Sequence, residues 1–336
     1  MAERQPILVL GAGSWGTALA LTLAHNGHPV WLWSRNTEQV EQMKASRQNA
    51  RFLPGCSLPD ILQPIANLEK YISQVQDILV VVPSHGFRET LRKIAPGINA
   101  QSRVCWATKG LENQTGLLLH QVAEQELGTQ RGLGVLSGPS FATEVAAGLP
   151  TAVTIAASSP QYAQHLVHLF HNNTFRPYTS TDMIGVQLGG AVKNIMAIAA
   201  GIVDGLGLGA NTRAALITRG LTEMVRFGTT LGGQRETFMG LAGLGDLVLT
   251  CTDNQSRNRR FGYALAQGHD NQEAQQQIGQ VVEGVRATRE VSRLAKKFQV
   301  DMPIVEQVNN VLQGICTPDE ALQALLSRQP KPEALL

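Results

Sequence analysis

Cysteine is scarce and scattered. Cys56, Cys105, Cys251 and Cys316 are the only four in 336 residues, and no two form a C-x-x-C pair. Neither a zinc site nor a dithiol redox centre is expected from such spacing, and the thiols should be reduced. Charge is equally thin: charged residues make up 16% of the chain and the formal net charge is +2. A chain without a basic stripe has little with which to displace counterions from phosphates, so no nucleic-acid partner is expected. The eight histidines lack metal-ligand spacing, no G-x-S-x-G marks a nucleophile, and no internal repeat is present; no metal is expected. The first apolar stretch, Ile7–Leu10, is too brief for a signal peptide or a membrane span, so a cytoplasmic protein without membrane insertion is expected.

What is present is an ordinary globular balance, 43% hydrophobic, in a chain longer than one core usually organises. Short apolar runs alternate with helix-length amphipathic segments through the first half. Ile7–Leu10, Val30–Trp33, Asp77–Val82, Arg103–Thr108, Gly134–Ser137, Thr151–Ala156 and Phe175–Thr179 read as strands. Continuous rather than alternating apolar strands fit a doubly wound, mostly parallel sheet buried on both faces. Arg47–Pro59, with two prolines and a glycine, reads as a loop. Beyond about Thr181 the β-branched runs give way to Ala, Leu, Gln, Glu and Arg, which favour helices. A domain boundary there separates a sheet domain, 1–183, from a helical domain, 184–336. Ile184–Asp204 reads as a helix apolar nearly all round, buried at the centre of the second domain, with glycines for close backbone approach. Asn271–Gln280 reads as a polar helix face or a loop.

Gly11-Ala12-Gly13-Ser14-Trp15-Gly16 is a G-x-G-x-x-G that follows a strand and opens the helical pattern Thr17–Asn26. In a dinucleotide-binding unit Gly11 makes the tight turn, Gly13 admits the pyrophosphate and Gly16 packs helix on strand. The helix start then offers its N–H groups to the anion. The second strand ends Trp33-Ser34-Arg35, where an enzyme restricted to NAD usually carries an acid. A guanidinium there takes a 2′-phosphate, which favours NADP(H), with NAD(H) as a second possibility. The plain alternative is a surface arginine.

Lys193-Asn194 interrupts the apolar helix at its middle. An ammonium buried there needs a partner or a task, and a desolvated lysine has its pKa drawn toward neutrality, which suits acid–base work on a carbonyl oxygen. A lysine that snorkels to the surface is the alternative. Lys109, in Ala107-Thr108-Lys109-Gly110, follows a strand on the ligand side of such sheets, and Ser137-Gly138-Pro139-Ser140 repeats that arrangement. Gly243-Leu244-Gly245-Asp246 precedes Thr250 and the run Asp253–Arg260, whose three arginines with Ser256 and Asn258 suit a small phosphate. Asp246 cannot meet phosphate directly; it would orient Lys193 or accept a substrate hydroxyl.

These motifs, together with Gly185–Asn194 and Gly240–Asp246 running into Asn254–Arg259, closely resemble those of bacterial NAD(P)-dependent glycerol-3-phosphate dehydrogenases over essentially the full length. The resemblance implies an N-terminal Rossmann domain and an all-helical C-terminal domain of the 6-phosphogluconate-dehydrogenase type. The implied activity is reduction of dihydroxyacetone phosphate to sn-glycerol 3-phosphate, a phospholipid precursor. It implies cofactor contacts from Gly11, Gly13, Ser14, Trp15, Gly16, Arg35, Lys109, Ala142, Arg257, Val281 and Glu283. Lys193 would be the catalytic proton carrier. Lys109, Gly138, Ser140, Lys193, Asp246, Ser256, Arg257 and Asn258 would line the substrate site. Phe52 stands where the family often has tyrosine, which puts a hydroxyl contact from that loop in doubt. A homodimer is the expectation for a soluble enzyme of this size.

Overall fold

The apolar runs of the first half become strands because both faces of the sheet they form are covered. In a computed structural model describing residues 5–329, these are β1 (Ile7–Leu10), β2 (Val30–Trp33), β3 (Gln48–Asn49), β4 (Leu53–Ser57), β5 (Leu62–Ile65), β6 (Asp77–Val80), β7 (Arg103–Trp106), β8 (Leu133–Ser137), β9 (Thr151–Ala157) and β10 (Phe175–Ser180). Eight of them make one sheet in the order β10-β9-β8-β7-β6-β1-β2-β5. Every residue of β1 and of β8 is buried, as strands covered on both sides must be. Neighbours run parallel except β8 and β9, which are antiparallel. β10 follows β9 in parallel, so this pair runs against the other six.

Two expectations change here. The stretch read as a loop holds the β3–β4 antiparallel ribbon; Pro54 and Gly55 hid it because they are turn-formers elsewhere. β5 went unread because Pro64 falls inside it. Proline has no N–H for a ladder, but β5 lies at one edge of the sheet, where the outer side needs none. Pro177 sits likewise in β10 at the opposite edge, and edge prolines discourage pairing with another chain.

The chain packs as two compact units, residues up to Thr108 with Leu119–Met183, and Lys109–Leu118 with the chain from Ile184 onward. The ten-residue excursion that carries Lys109 into the helical unit was not expected. Thr108 still belongs to the sheet, its hydroxyl donating to Val82 O at 2.8 Å.

The helical unit is built on the helix Met183–Gly205, whose residues from Gly185 to Val203 are all buried. It is the one described helix long and apolar enough to cross a membrane, and its most apolar window is entirely buried in protein. Its glycines set how closely its neighbours approach. A Cβ on Gly201 would stand 1.9 Å from Arg259 O, and one on Gly262 2.0 Å from Ile198 O, so this helix and Arg257–Ala266 cross nearly backbone to backbone. Asn271–Ile278 is a helix with Asp270 and Glu273 forming a capping box, the first of the two readings of that segment.

Candidate active site

In the sheet unit the glycine loop has the shape of an anion cradle. Gly11 takes φ +119°, and a Cβ there would meet Val81 O at 2.4 Å; a Cβ on Gly16 would meet Gly11 O at 1.8 Å. Nothing lies within 4 Å of where a Cβ on Gly13 would point, so the backbone is open to a ligand at the middle glycine and closed at the outer two. The helix Ser14–His25 then begins without a side-chain cap and without an acid in its first turn, leaving its N–H groups and positive dipole end to an anion. The buried Trp15 Nε1 has no hydrogen-bond partner among the described residues, a donor suited to a bound polar group. These observations fit a dinucleotide pyrophosphate.

Around the loop lies a network that the sequence did not signal. Gln39 Nε2 donates to Ala12 O at 2.7 Å, and Asn49 Nδ2 donates to the same oxygen at 2.9 Å and to Thr17 Oγ1 at 2.8 Å. Both side chains are buried; they fix the Ala12 carbonyl inside the loop and so hold its shape. Ser14 Oγ donates to Phe52 O at 2.6 Å, so residue 52 meets the loop through its backbone. Arg35 is exposed at the end of β2, just before Asn36 caps the helix Thr37–Ser46. At the end of β8, Gly138 takes φ +144° and its Cβ would meet Val153 Cα at 3.0 Å. Ser140 Oγ donates to Gly138 O at 3.0 Å, and Ala142 opens the short helix Ala142–Ala146.

In the helical unit Lys193 and Asp246 meet. A single π turn, Leu241–Gly245, precedes the helix Asp246–Thr252. Gly189 lets that turn press on the central helix, since a Cβ there would stand 2.3 Å from Ala242 O. The fit delivers Asp246, fully buried, to Lys193: Lys193 Nζ donates to Asp246 Oδ1. Thr250, one turn further on, gives its proton to Asp246 O at 2.6 Å and accepts from Lys193 Nζ at 2.9 Å. Of the three N–H bonds of the ammonium, two are thus spoken for, and no third acceptor is present among the described residues. Lys109 Nζ donates to the other carboxylate oxygen, Asp246 Oδ2, at 2.6 Å.

Burial, more than the charges around it, sets the acidity of Lys193. Burial draws its pKa down from 10.5 to about 7; Asp246 opposes that fall and the ammonium of Lys109 adds to it. Desolvation wins because Lys193 is 7% exposed and the single carboxylate is shared by two cations.

Ser256 caps the helix Arg257–Ala266, its Oγ accepting from Arg259 N–H at 3.2 Å. Asn258 is buried between backbones, Nδ2 donating to Asn194 Oδ1 at 2.9 Å and Oδ1 accepting from Gly284 N–H at 2.9 Å. Arg257 Nη1 donates to Gln280 Oε1 at 3.0 Å and lies 3.4 Å from Val281 O. Arg259 does not join a three-arginine cluster: its guanidinium is paired with Asp204 at 2.5 Å. Glu283 begins the helix Glu283–Lys297 directly after these residues.

Family profiles described as the N-terminus and the C-terminus of NAD-dependent glycerol-3-phosphate dehydrogenase match residues 6–163 and 182–323. The chain belongs to the NAD-dependent glycerol-3-phosphate dehydrogenase family. Among its relatives are the glycerol-3-phosphate dehydrogenases [NAD(P)+] of Nitrosococcus oceani, 57% identical over 331 residues (98% of this chain, 96% of that protein), and of Serratia proteamaculans, 56% identical over 326 residues (97% and 96%). The crystal structure of glycerol-3-phosphate dehydrogenase from Coxiella burnetii superposes with a TM-score of 0.94 at 53% identity, covering 97% of this chain and 99% of that one. The dehydrogenase thus has a family-typical fold in both units. The Lys193–Thr250 and Arg257–Gln280 hydrogen bonds were not expected, because a threonine one turn after an acid and a glutamine in a polar stretch are unremarkable as residue types.

Proposed function

We propose that this dehydrogenase reduces dihydroxyacetone phosphate to sn-glycerol 3-phosphate at the expense of NADPH or NADH, reversibly, with Lys193 as the residue that gives the proton. The observation that carries the reading is the Lys193–Asp246–Lys109 arrangement: a buried ammonium near its neutral point with one N–H unclaimed. Bound NAD(P)H supplies the hydride to the ketone carbon. As negative charge grows on the ketone oxygen, the third N–H of Lys193 donates to it and then yields the proton. In the reverse direction the neutral amine accepts the proton of the alcohol. A lysine with its ordinary pKa of 10.5 would hold that proton too tightly for reversible transfer near neutral pH; one at about 7 works in both directions. Lys193 must be protonated for reduction, so reduction falls as pH rises through about 7, and oxidation rises over the same interval.

Asp246 holds Lys193 in place and partly offsets the cost of burying it, and removing one partner of such a pair leaves the other charge uncompensated. Lys109 accounts for the second carboxylate oxygen and brings a second positive charge toward the substrate. Ser256, Arg257 and Asn258, at the start of one helix, bind the substrate phosphate by charge and helix N–H groups; Gly138 and Ser140 complete the substrate contacts. Gly11, Gly13, Ser14, Trp15 and Gly16 hold the pyrophosphate, Arg35 the 2′-phosphate of NADP(H), and Ala142, Val281, Glu283 and Arg257 the remainder of the cofactor. The same reading makes the protein a cytoplasmic homodimer that supplies glycerophospholipid synthesis and needs no metal. The test is direct: mix the purified protein with NADPH and dihydroxyacetone phosphate and follow the absorbance of reduced nicotinamide. Ketone-dependent loss of absorbance supports the reading, and its absence contradicts it.

A further inference from the structure

Lys109 arrives at Asp246 on a hairpin, and the hairpin has its own anchor. Leu111 and Leu118 pair as an isolated antiparallel bridge and are both buried in the helical core. Glu112 N–H donates to Leu117 O at 2.9 Å, and Gly116 N–H donates to Glu112 O at 3.0 Å. The tip is held in an unusual shape: Gln114 takes φ +72° and Gly116 φ +71°. The left-handed region suits glycine, and a glutamine stays there only where its surroundings impose it.

Glu290, on the helix Glu283–Lys297, meets that tip. Its Oε1 accepts from Gln114 N–H at 3.0 Å. Its Oε2 accepts from Arg293 Nη2 at 2.9 Å and Nε at 3.2 Å. The guanidinium lies against Gly116, where a Cβ would meet Arg293 Nη2 at 2.5 Å. Glu290 is 3% exposed, and a buried carboxylate is costly unless both oxygens are engaged. Here one oxygen is spent on the hairpin backbone and the other on the arginine that covers it.

We propose that Glu290 is a positioning residue for the reaction above: by clamping the hairpin tip it keeps the Lys109 ammonium on Asp246 opposite Lys193. The proposal rests on the functional reading given in the previous subsection. The charged groups against Lys193 are Asp246 and Lys109; Cys251, on the helix Asp246–Thr252, is a buried thiol raised to about 12 and stays neutral. When the tip is released, Lys109 withdraws and Asp246 serves Lys193 alone. Both changes favour the ammonium form of Lys193, so the pH at which ketone reduction declines moves upward.

The experiment compares the full-length wild type with Glu290→Ala, Glu290→Gln and Gly116→Ala, using NADPH and dihydroxyacetone phosphate between about pH 6 and pH 9. Glu290→Ala should lose roughly tenfold in kcat/KM for the ketone while KM for NADPH stays within about twofold, with the alkaline decline shifted upward. Glu290→Gln keeps an acceptor for Gln114 N–H and should restore both. Gly116→Ala leaves Glu290 intact but crowds the guanidinium, and should shift the decline in the same direction. Unchanged midpoints in both alanine variants overturn the proposal, as does a loss confined to thermal stability. If Glu290→Ala does not fold, an unshifted Gly116→Ala is decisive against it. Inactivity of the wild type with the ketone would sink the functional reading itself, whatever the variants do.

Discussion

At the scale of single residues, the proposed function assigns Arg35 to binding and Lys193 to proton transfer. Arg35 is exposed and stands at the end of β2, where a dinucleotide's adenosine ribose lies in folds of this kind. NADP(H) differs from NAD(H) only by the 2′-phosphate, so a discriminating residue must touch that group. A guanidinium gains about 1.5–3 kcal/mol from it, or roughly ten- to a hundredfold in affinity. Arg35→Asp should therefore reverse the NADPH:NADH ratio of kcat/KM, since the carboxylate repels the phosphate and accepts from the ribose hydroxyls of NADH. An unchanged ratio would make Arg35 an ordinary surface residue. Lys193 was legible because a cation in a 23-residue apolar helix is out of place. Asp246 was legible through its glycine-rich approach. Gln39, Asn49, Thr250 and Glu290 were not, because each acts through a partner brought near only by folding, and an amide, a hydroxyl or a carboxylate alone names no partner.

At the scale of elements, the strand cores could be read closely because continuous burial leaves a continuous apolar run, as in β1 and β8. The strands that escaped, β3, β4 and β5, owe their place to a ribbon or an edge rather than to a continuous apolar run. Helix starts carry a further element-scale consequence. Glu223 is buried and accepts from Ile304 N–H at 2.7 Å and Val305 N–H at 3.3 Å, at the start of the helix Pro303–Leu312. Burial raises its pKa from 4.5 to about 7, against the pull of those N–H groups and of Arg226, while Asp301 adds to the rise. A carboxyl raised in the folded state binds its proton there while the unfolded chain has already lost it. Between 4.5 and about 7 stability therefore falls as pH rises, by an amount on the order of 3 kcal/mol. Glu223→Gln keeps a carbonyl for Ile304 N–H and cannot titrate. Denaturant melts of both proteins across this interval should show the decline in the wild type and a flatter curve in the variant; parallel curves would contradict the assignment.

At the scale of the whole molecule, the chain passes between its two compact units not once but at 108–109, 118–119 and 183–184. Composition changes visibly only at the last of these. The excursion Lys109–Leu118 is apolar at Leu111 and Leu118 and otherwise resembles any loop, so nothing in its residues announced that it packs with helices. Its effect is to place a second cation on the carboxylate that serves Lys193: burial draws Lys193 down to about 7, Asp246 opposes that fall, and the ammonium of Lys109 adds to it. Lys193 is the proposed proton donor on which ketone reduction depends. The most direct measurement is kcat for ketone reduction near neutral pH, with NADPH and dihydroxyacetone phosphate both saturating, in the wild type and in Lys193→Met, alongside NADPH affinity in each. Methionine keeps the length of the side chain and removes the proton. The expected result is a loss of roughly a hundredfold or more in kcat with NADPH affinity essentially unchanged. A variant that turns over within a few-fold of the wild type would contradict the assignment.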